Sequence, residues 1–301
     1  MNVLVIRLSA LGDFVLSFGP FAAIRAHHPG ATITLLTTRP FAPLAARAPW
    51  FDRVLVDTRP RWWDFAGWLA LRRTLRDGDF AMVYDLQTSD RSATYFRLMG
   101  GRVPWSGIAR GCRFPHANPE RDRMHTIDRQ QEQLRMAGIE AFPPPDLDWL
   151  RGDVARFGLA PPYALLVPGA AAHRPEKRWP AERFGIVAAA LADRGIQPVI
   201  AGSRGEVPLA AAIRAVCPGA RDLTGATDLV GLAALAAGAA LAVGNDTGPM
   251  HLAAALGAPC RVLFGSGSDP ALTAPRGRDV RVLCNADLRS LPADDVVRAL
   301  P

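Results

Sequence analysis

Short apolar runs of strand length recur along this chain, and nearly every one is followed by a polar turn and a helix-length amphipathic segment. Few folds accept that rhythm. Two strands that pair in parallel need a long crossover between them, and a helix is the compact way to make it. Repeated strand–helix alternation therefore predicts parallel sheets covered by helices. Runs at 3–7, 32–37, 53–56 and 80–86 read as strands, with helices over 12–27, 92–99 and 127–138. The stiff stretch Phe142-Pro143-Pro144-Pro145-Asp146 and the pair Pro161-Pro162 interrupt the pattern. It then restarts, with strands at 163–167, 198–201, 241–243 and 261–264 and helices over 229–237 and 249–256. Two α/β domains are expected, 1–158 and 159–301, each a doubly wound Rossmann-like sheet, the two facing across a cleft. The last helix is a candidate to pack back on the first domain. Ligands of such sheets bind beyond the carboxyl ends of the strands, so the loops there are where chemistry belongs.

Composition narrows the partners. With 301 residues, 49% of them hydrophobic, the chain can fill two cores. No stretch of about eighteen uninterrupted apolar residues is present, so no bilayer span is expected. The amino terminus opens on Val3-Leu4-Val5-Ile6 and lacks the features of a signal peptide. Cys112, Cys217, Cys260 and Cys284 show no paired spacing and read as reduced, mostly buried thiols of a cytosolic protein. Net charge is +7, and the excess lies mainly in the first half: residues 1–158 hold 21 basic and 16 acidic groups, residues 159–301 hold 14 and 12. That favours an anionic partner there, a phosphorylated substrate or a membrane surface. Without a basic block or a recognisable motif, nucleic acid is not expected as a partner.

Lys177 is the only lysine among 35 basic side chains. Where positive charge alone suffices, this chain uses arginine. A compact ammonium differs from a wide guanidinium fork, and a tight pocket around a phosphate is one place where the difference matters. The alternative is a leftover surface lysine. The densest motif is Val243-Gly244-Asn245-Asp246-Thr247-Gly248-Pro249-Met250-His251. A strand ends, a polar turn follows, and Pro249 suits a first helical turn whose free N–H groups and dipole attract diphosphate. Thr247 either caps the helix or bonds a phosphate, and Asp246 can accept sugar hydroxyls. The plainer reading is an ordinary strand–helix turn with a good cap.

Gly202-Ser203-Arg204-Gly205-Glu206 also follows a strand. Glu206 stands where many nucleotide-binding sheets hold a ribose hydroxyl, or else it is a solvated glutamate in a first helical turn. Arg7-Leu8-Ser9-Ala10-Leu11-Gly12-Asp13 is the amino-terminal counterpart, with Asp13 as either a helix cap or a general base. Asp77-Gly78-Asp79 and Asp146-Leu147-Asp148 read as a turn and a linker, so no protein-bound metal is required. Trp62-Trp63-Asp64-Phe65 and Trp68, followed by Arg72, Arg73 and Arg76, suggest an aromatic and basic helix. It would either touch a membrane or lipid acceptor, or bury one face and solvate the other.

Taken together, these strings resemble the family-9 glycosyltransferases, the lipopolysaccharide heptosyltransferase family. The resemblance runs through residues 5–13, Tyr84-Asp85-Leu86-Gln87, Pro168-Gly169-Ala170, Lys177-Arg178-Trp179-Pro180, and residues 243–257. It implies a GT-B architecture of two domains, with an inverting transfer of a sugar, typically heptose from ADP-heptose, onto a lipid-linked sugar at the inner face of the cytoplasmic membrane. By motif match, Asp13 would be the base, Lys177 would bind the diphosphate, and Glu206 would hold the ribose. Asp246, Thr247 and Gly248 would contact the donor, with His251 lining the pocket. Arg7, Ser9, Gly12 and Gln87 are acceptor-side candidates. No cofactor is required beyond the nucleotide-sugar substrate; Mg2+ is compatible with the reading, with no protein ligand site assigned to it. The chain departs from the family pattern at Ala170-Ala171-Ala172-His173, which lacks the family's hydroxyl, and at Gly265-Ser266-Gly267-Ser268-Asp269-Pro270. Rival readings are a hydrolase or epimerase of nucleotide sugars, and a non-catalytic nucleotide-sugar-binding protein.

Overall fold

The computed structural model describes residues 1–171 and 173–301. The chain divides into two units, Met1–Trp149 and Leu150–Pro301. The first holds a parallel sheet of β1 (Asn2–Ile6), β2 (Thr32–Thr37), β3 (Arg53–Val56), β4 (Met82–Asp85), β5 (Trp105–Gly107) and β6 (Phe114–Pro115), in the order β3-β2-β1-β4-β5-β6. The second holds β7 (Tyr163–Val167), β8 (Gln197–Ile200), β9 (Arg221–Asp222), β10 (Leu241–Asn245), β11 (Cys260–Phe264) and β12 (Val280–Cys284), in the order β12-β11-β10-β7-β8-β9. Counted from each unit's own first strand, the two orders are the same, 3-2-1-4-5-6. The order reverses beside β1 in the first unit and beside β7 in the second, and a doubly wound sheet opens its crevice at that point.

Burial follows from this arrangement. β7 is buried at every position and β1 from Val3 to Ile6, as central strands covered on both faces require. The edge strands β3 and β12 are partly exposed. In the second unit Leu166, Val243 and Ile200 pack with Trp179, Phe184 and Ile213. In the first, Leu4, Ile6 and Val83 pack with Leu71, Leu75, Tyr95 and Trp105.

The units part at 149/150, ahead of the 158/159 position read from the prolines. Trp149 stacks edge-on against Trp50, with ring centroids 5.7 Å apart, which ties it to the first unit. Phe157 belongs to the second, where its carbonyl accepts from Arg221 Nη2 at 3.3 Å. The closing helix Ala293–Arg298 lies in the second unit's core, where Ala293 and Val296 join the Trp179–Phe184 cluster. The segment read as one helix over 12–27 is two, Leu11–Leu16 and Phe18–His27, meeting at Ser17. The helix after β3 runs Phe65–Asp77, leaving Trp62 and Trp63 in the turn before it.

Candidate functional site

At the second crevice four loops converge, those after β7, β8, β10 and β11. Asn245, the buried last residue of β10, ties two of them to the Trp179 segment. Its Oδ1 accepts from Trp179 N at 3.1 Å, and its Nδ2 donates to Pro168 O at 2.7 Å. The next residue, Asp246, gathers three side chains. Lys177 Nζ donates to its Oδ2 at 2.7 Å and Ser268 Oγ to the same oxygen at 2.6 Å, while His251 Nε2 lies 3.7 Å from Oδ1. Burial pushes the Asp246 carboxyl up, but His251, Lys177 and Ser268 outweigh it and hold the group down to about 2. Asp246 is thus a fixed anion at neutral pH, and the lone ammonium is held beside the turn that begins the helix Gly248–Ala255. Thr247 occupies the position before that helix with no side-chain capping bond. It adjoins a helix end that supplies unpaired N–H groups and positive potential.

Glu206 ends the 3-10 turn Arg204–Glu206, and its Oε2 accepts from Ser203 N at 2.5 Å. Its carboxylate lies over the loops after β7 and β8. A side chain at Gly169 would start 1.5 Å from Glu206 Oε1, and one at Gly202 would start 2.8 Å from Oε2. Glycine at both places leaves room for the acid. Arg178 Nη2 donates to Ala170 O at 2.9 Å and anchors the start of the alanine loop; Ala172 lies outside the described residues. Gly267 packs against the lysine stem, since a Cβ there would meet Lys177 Cγ at 3.0 Å.

The first crevice is built from the loops after β1 and β4. Arg7 is buried, its guanidinium donates to Leu86 O at 2.5 Å, and its Nη2 pairs with Asp13 Oδ1 at 3.2 Å. Burial pulls the Arg7 pKa down, Asp13 opposes that, and Arg129 adds to it. Asp13 is the third residue of the helix Leu11–Leu16 and not its cap. Ala10 holds the cap position, and its N–H reaches Asp13 Oδ2 at 3.3 Å. The Asp13 side chain stays 40% exposed, open to a ligand proton. Gln87 Oε1 accepts from Leu8 N at 2.8 Å and Ser9 N at 3.2 Å, so it staples the two loops together. Asp85, fully buried at the end of β4, accepts from Gln87 N and Thr88 N. Burial raises it to about 6 against the hydrogen bonds from Ser92, Thr88 and Gln87 and the charge of Arg7.

The structure thus brings Lys177, Asp246 and His251 into direct contact, sets Thr247 and Gly248 on the adjoining helix end, and places Glu206 across the neighbouring strand ends. Arg7, Ser9, Gly12, Asp13 and Gln87 collect in the first unit. Sequence reasoning missed Ser268, Asn245 and Arg129. Asn245 lies inside the quoted motif and Ser268 inside the divergent glycine–serine loop, so both stood in view without a role. Arg129, half-buried in the helix Thr126–Arg135, reaches the Arg7–Asp13 pair from a segment with no motif at all.

Solved structures of similar fold include heptosyltransferases. Escherichia coli ADP-heptose lipopolysaccharide heptosyltransferase II superposes with a TM-score of 0.80 at 25% identity, over 99% of this chain and 97% of that one. Escherichia coli heptosyltransferase WaaC with ADP gives 0.78 at 23% identity, over 99% and 98%. A UDP-GlcNAc 2-epimerase from Methanocaldococcus jannaschii gives 0.60 at 13%, over 99% and 91%, a likeness of fold alone. The molecule is a glycosyltransferase of the GT-B class. The model of glycosyltransferase family 9 (heptosyltransferase) matches residues 68–298, and the chain belongs to that family. Among curated relatives, lipopolysaccharide heptosyltransferase 2 of Escherichia coli (strain K12) is 28% identical over 94% of this chain and 88% of its own. Lipopolysaccharide heptosyltransferase 1 of Pseudomonas aeruginosa is 28% identical over 92% and 82%. No helix among the described residues is long and apolar enough to cross a membrane.

Proposed function

We propose that this enzyme transfers heptose from ADP-heptose to the core of a lipopolysaccharide, with inversion at the anomeric carbon, while working at the cytoplasmic face of the inner membrane. The observation that carries the reading is the Lys177–Asp246 contact at the start of the helix Gly248–Ala255. It sets one compact cation and one helix end at the crevice where a nucleoside diphosphate would lie. The relatives named for lipopolysaccharide heptosyl transfer supply the substrate class.

In this mechanism Asp13 accepts the proton of an acceptor hydroxyl as that oxygen attacks the anomeric carbon. The bond from that carbon to the diphosphate oxygen breaks, and its electrons leave with ADP. Negative charge grows on the leaving diphosphate, where Lys177 and the N–H groups after Thr247 act most strongly. Asp246 keeps the ammonium in place, Glu206 takes the ribose hydroxyls, and His251 lines the sugar pocket. Arg7 orients Asp13 through their ion pair. The test is transfer from ADP-heptose to heptose-deficient lipopolysaccharide, followed by mass spectrometry of the acceptor. A heptose-extended product is expected; nucleotide-sugar turnover with an unmodified acceptor would favour a hydrolase or epimerase instead.

A further inference from the structure

The turn after β3 and the helix Phe65–Asp77 carry side chains that the transfer chemistry leaves unused. Trp62 is 80% exposed, Trp63 51%, Phe65 75% and Leu69 63%. Single exposed apolar residues are ordinary, but four large ones crowded together mark a contact surface. These side chains are held outward. The Trp62 and Trp63 rings meet edge to face at 5.2 Å, and the Arg61 guanidinium lies 5.2 Å over Trp63. Trp68 Nε1 ties the turn back through Arg61 O at 2.9 Å, and Asp64 caps the helix by accepting from Gly67 N at 2.8 Å. At about 100° per residue, Phe65, Leu69, Arg72, Arg73 and Arg76 fall on one stripe, away from the buried Leu71 and Leu75. Residues 59–76 hold five arginines and one carboxylate, the capping Asp64. An apolar tip with tryptophans, continued by a basic stripe, fits the boundary of a bilayer with anionic headgroups.

We infer that this turn and helix dock the enzyme on an anionic lipid surface, with Trp62, Trp63, Phe65 and Leu69 entering the headgroup boundary and Arg72 and Arg73 facing lipid phosphates. The inference deepens the proposed reading and rests on it for its purpose, since a lipid-linked acceptor is met at such a surface. Placement supports it. β3, β2 and β1 are consecutive parallel neighbours, so the chain leading to the tryptophan turn and the one leading to Asp13 leave the same carboxyl end of one sheet, from strands roughly 10 Å apart.

The experiment uses the full chain in vesicle sedimentation, with phosphatidylcholine alone and with roughly a third phosphatidylglycerol. The wild type should favour the anionic vesicles by about tenfold or more, and Trp62→Ser/Trp63→Ser/Phe65→Ser/Leu69→Ser should lose about tenfold in partitioning with an unchanged melting curve. Arg72→Glu/Arg73→Glu should lose the phosphatidylglycerol preference and its salt dependence. The inference is overturned if the wild type ignores anionic vesicles or if the four-site variant binds them equally well. It is also overturned if that variant alters only self-association in sedimentation velocity. Transfer to a lipid-free oligosaccharide acceptor should be equal in wild type and variants; absence of that transfer in the wild type would count against the transferase reading and leave the docking result standing.

Discussion

At the scale of single residues, the pairing of Lys177 with Asp246 decides most. Both side chains are nearly buried, and the lysine stem packs beside Gly267. Lys177→Ala should weaken ADP binding by roughly ten- to a hundredfold in calorimetry, the scale of a lost charge-assisted contact. Lys177→Arg should fail to restore it, which is the physical sense of one lysine among so many arginines. Asp13→Ala should leave ADP affinity within about twofold and lower turnover by roughly 100- to 10,000-fold, the range of a lost general base; near-normal turnover would remove Asp13 from that role. Asp85 carries a pH signature. Its folded pKa, about 6, stands above the ordinary value of 3.8, so the folded state keeps its proton longer than the unfolded chain. The Asp85 contribution to stability should therefore be fullest below about pH 4 and fall by on the order of 3 kcal/mol as pH rises to about 6. Chemical denaturation across that range should show the slope in the wild type and lose it in Asp85→Asn.

Among the elements, central strands and their exit loops were the most legible. The strands at 32–37, 53–56 and 163–167 read from the sequence coincide with β2, β3 and β7, because continuous apolar runs between polar turns leave little choice. β5, β6, β9 and β12 were not read. The first three are only two or three residues long, and β12 is a partly exposed edge. The aromatic segment was misplaced by three residues of helix: Asp64 caps, so Trp62 and Trp63 stay in the turn, while Trp68, Leu71 and Leu75 turn inward. The exit loop of β7 makes its own prediction. Gly169→Ala would drive a methyl into Glu206, so it should weaken nucleotide binding about as much as Glu206→Ala does, with only a small change in melting temperature. Isothermal titration of both variants with ADP checks this, and wild-type affinity in Gly169→Ala would detach Glu206 from the nucleotide.

For the whole molecule, two sheets with the same strand order place two crevices in one chain, one carrying an acid and the other a cation at a helix end. A ligand that binds only the folded state raises its melting temperature in proportion to the logarithm of its excess over Kd. ADP and ADP-sugars should therefore shift the melting curve upward by several degrees at saturating concentration, well beyond GDP-, UDP- or dTDP-sugars. Equal shifts from all four nucleotides would mean that the second unit grips the diphosphate without reading the base.

Hydrophobic period, turn chemistry and two proline runs were enough to specify two parallel α/β units and to put Asp13, Lys177, Glu206 and Asp246 in the segments that follow strand ends, because those signals are local. Which of those side chains touch was decided only by the folded chain. Lys177 meets Asp246 across 69 positions of sequence and Arg7 reaches Leu86 across 79. Such contacts depend on how neighbouring strands register and on what burial does to a charge, and no local pattern encodes either.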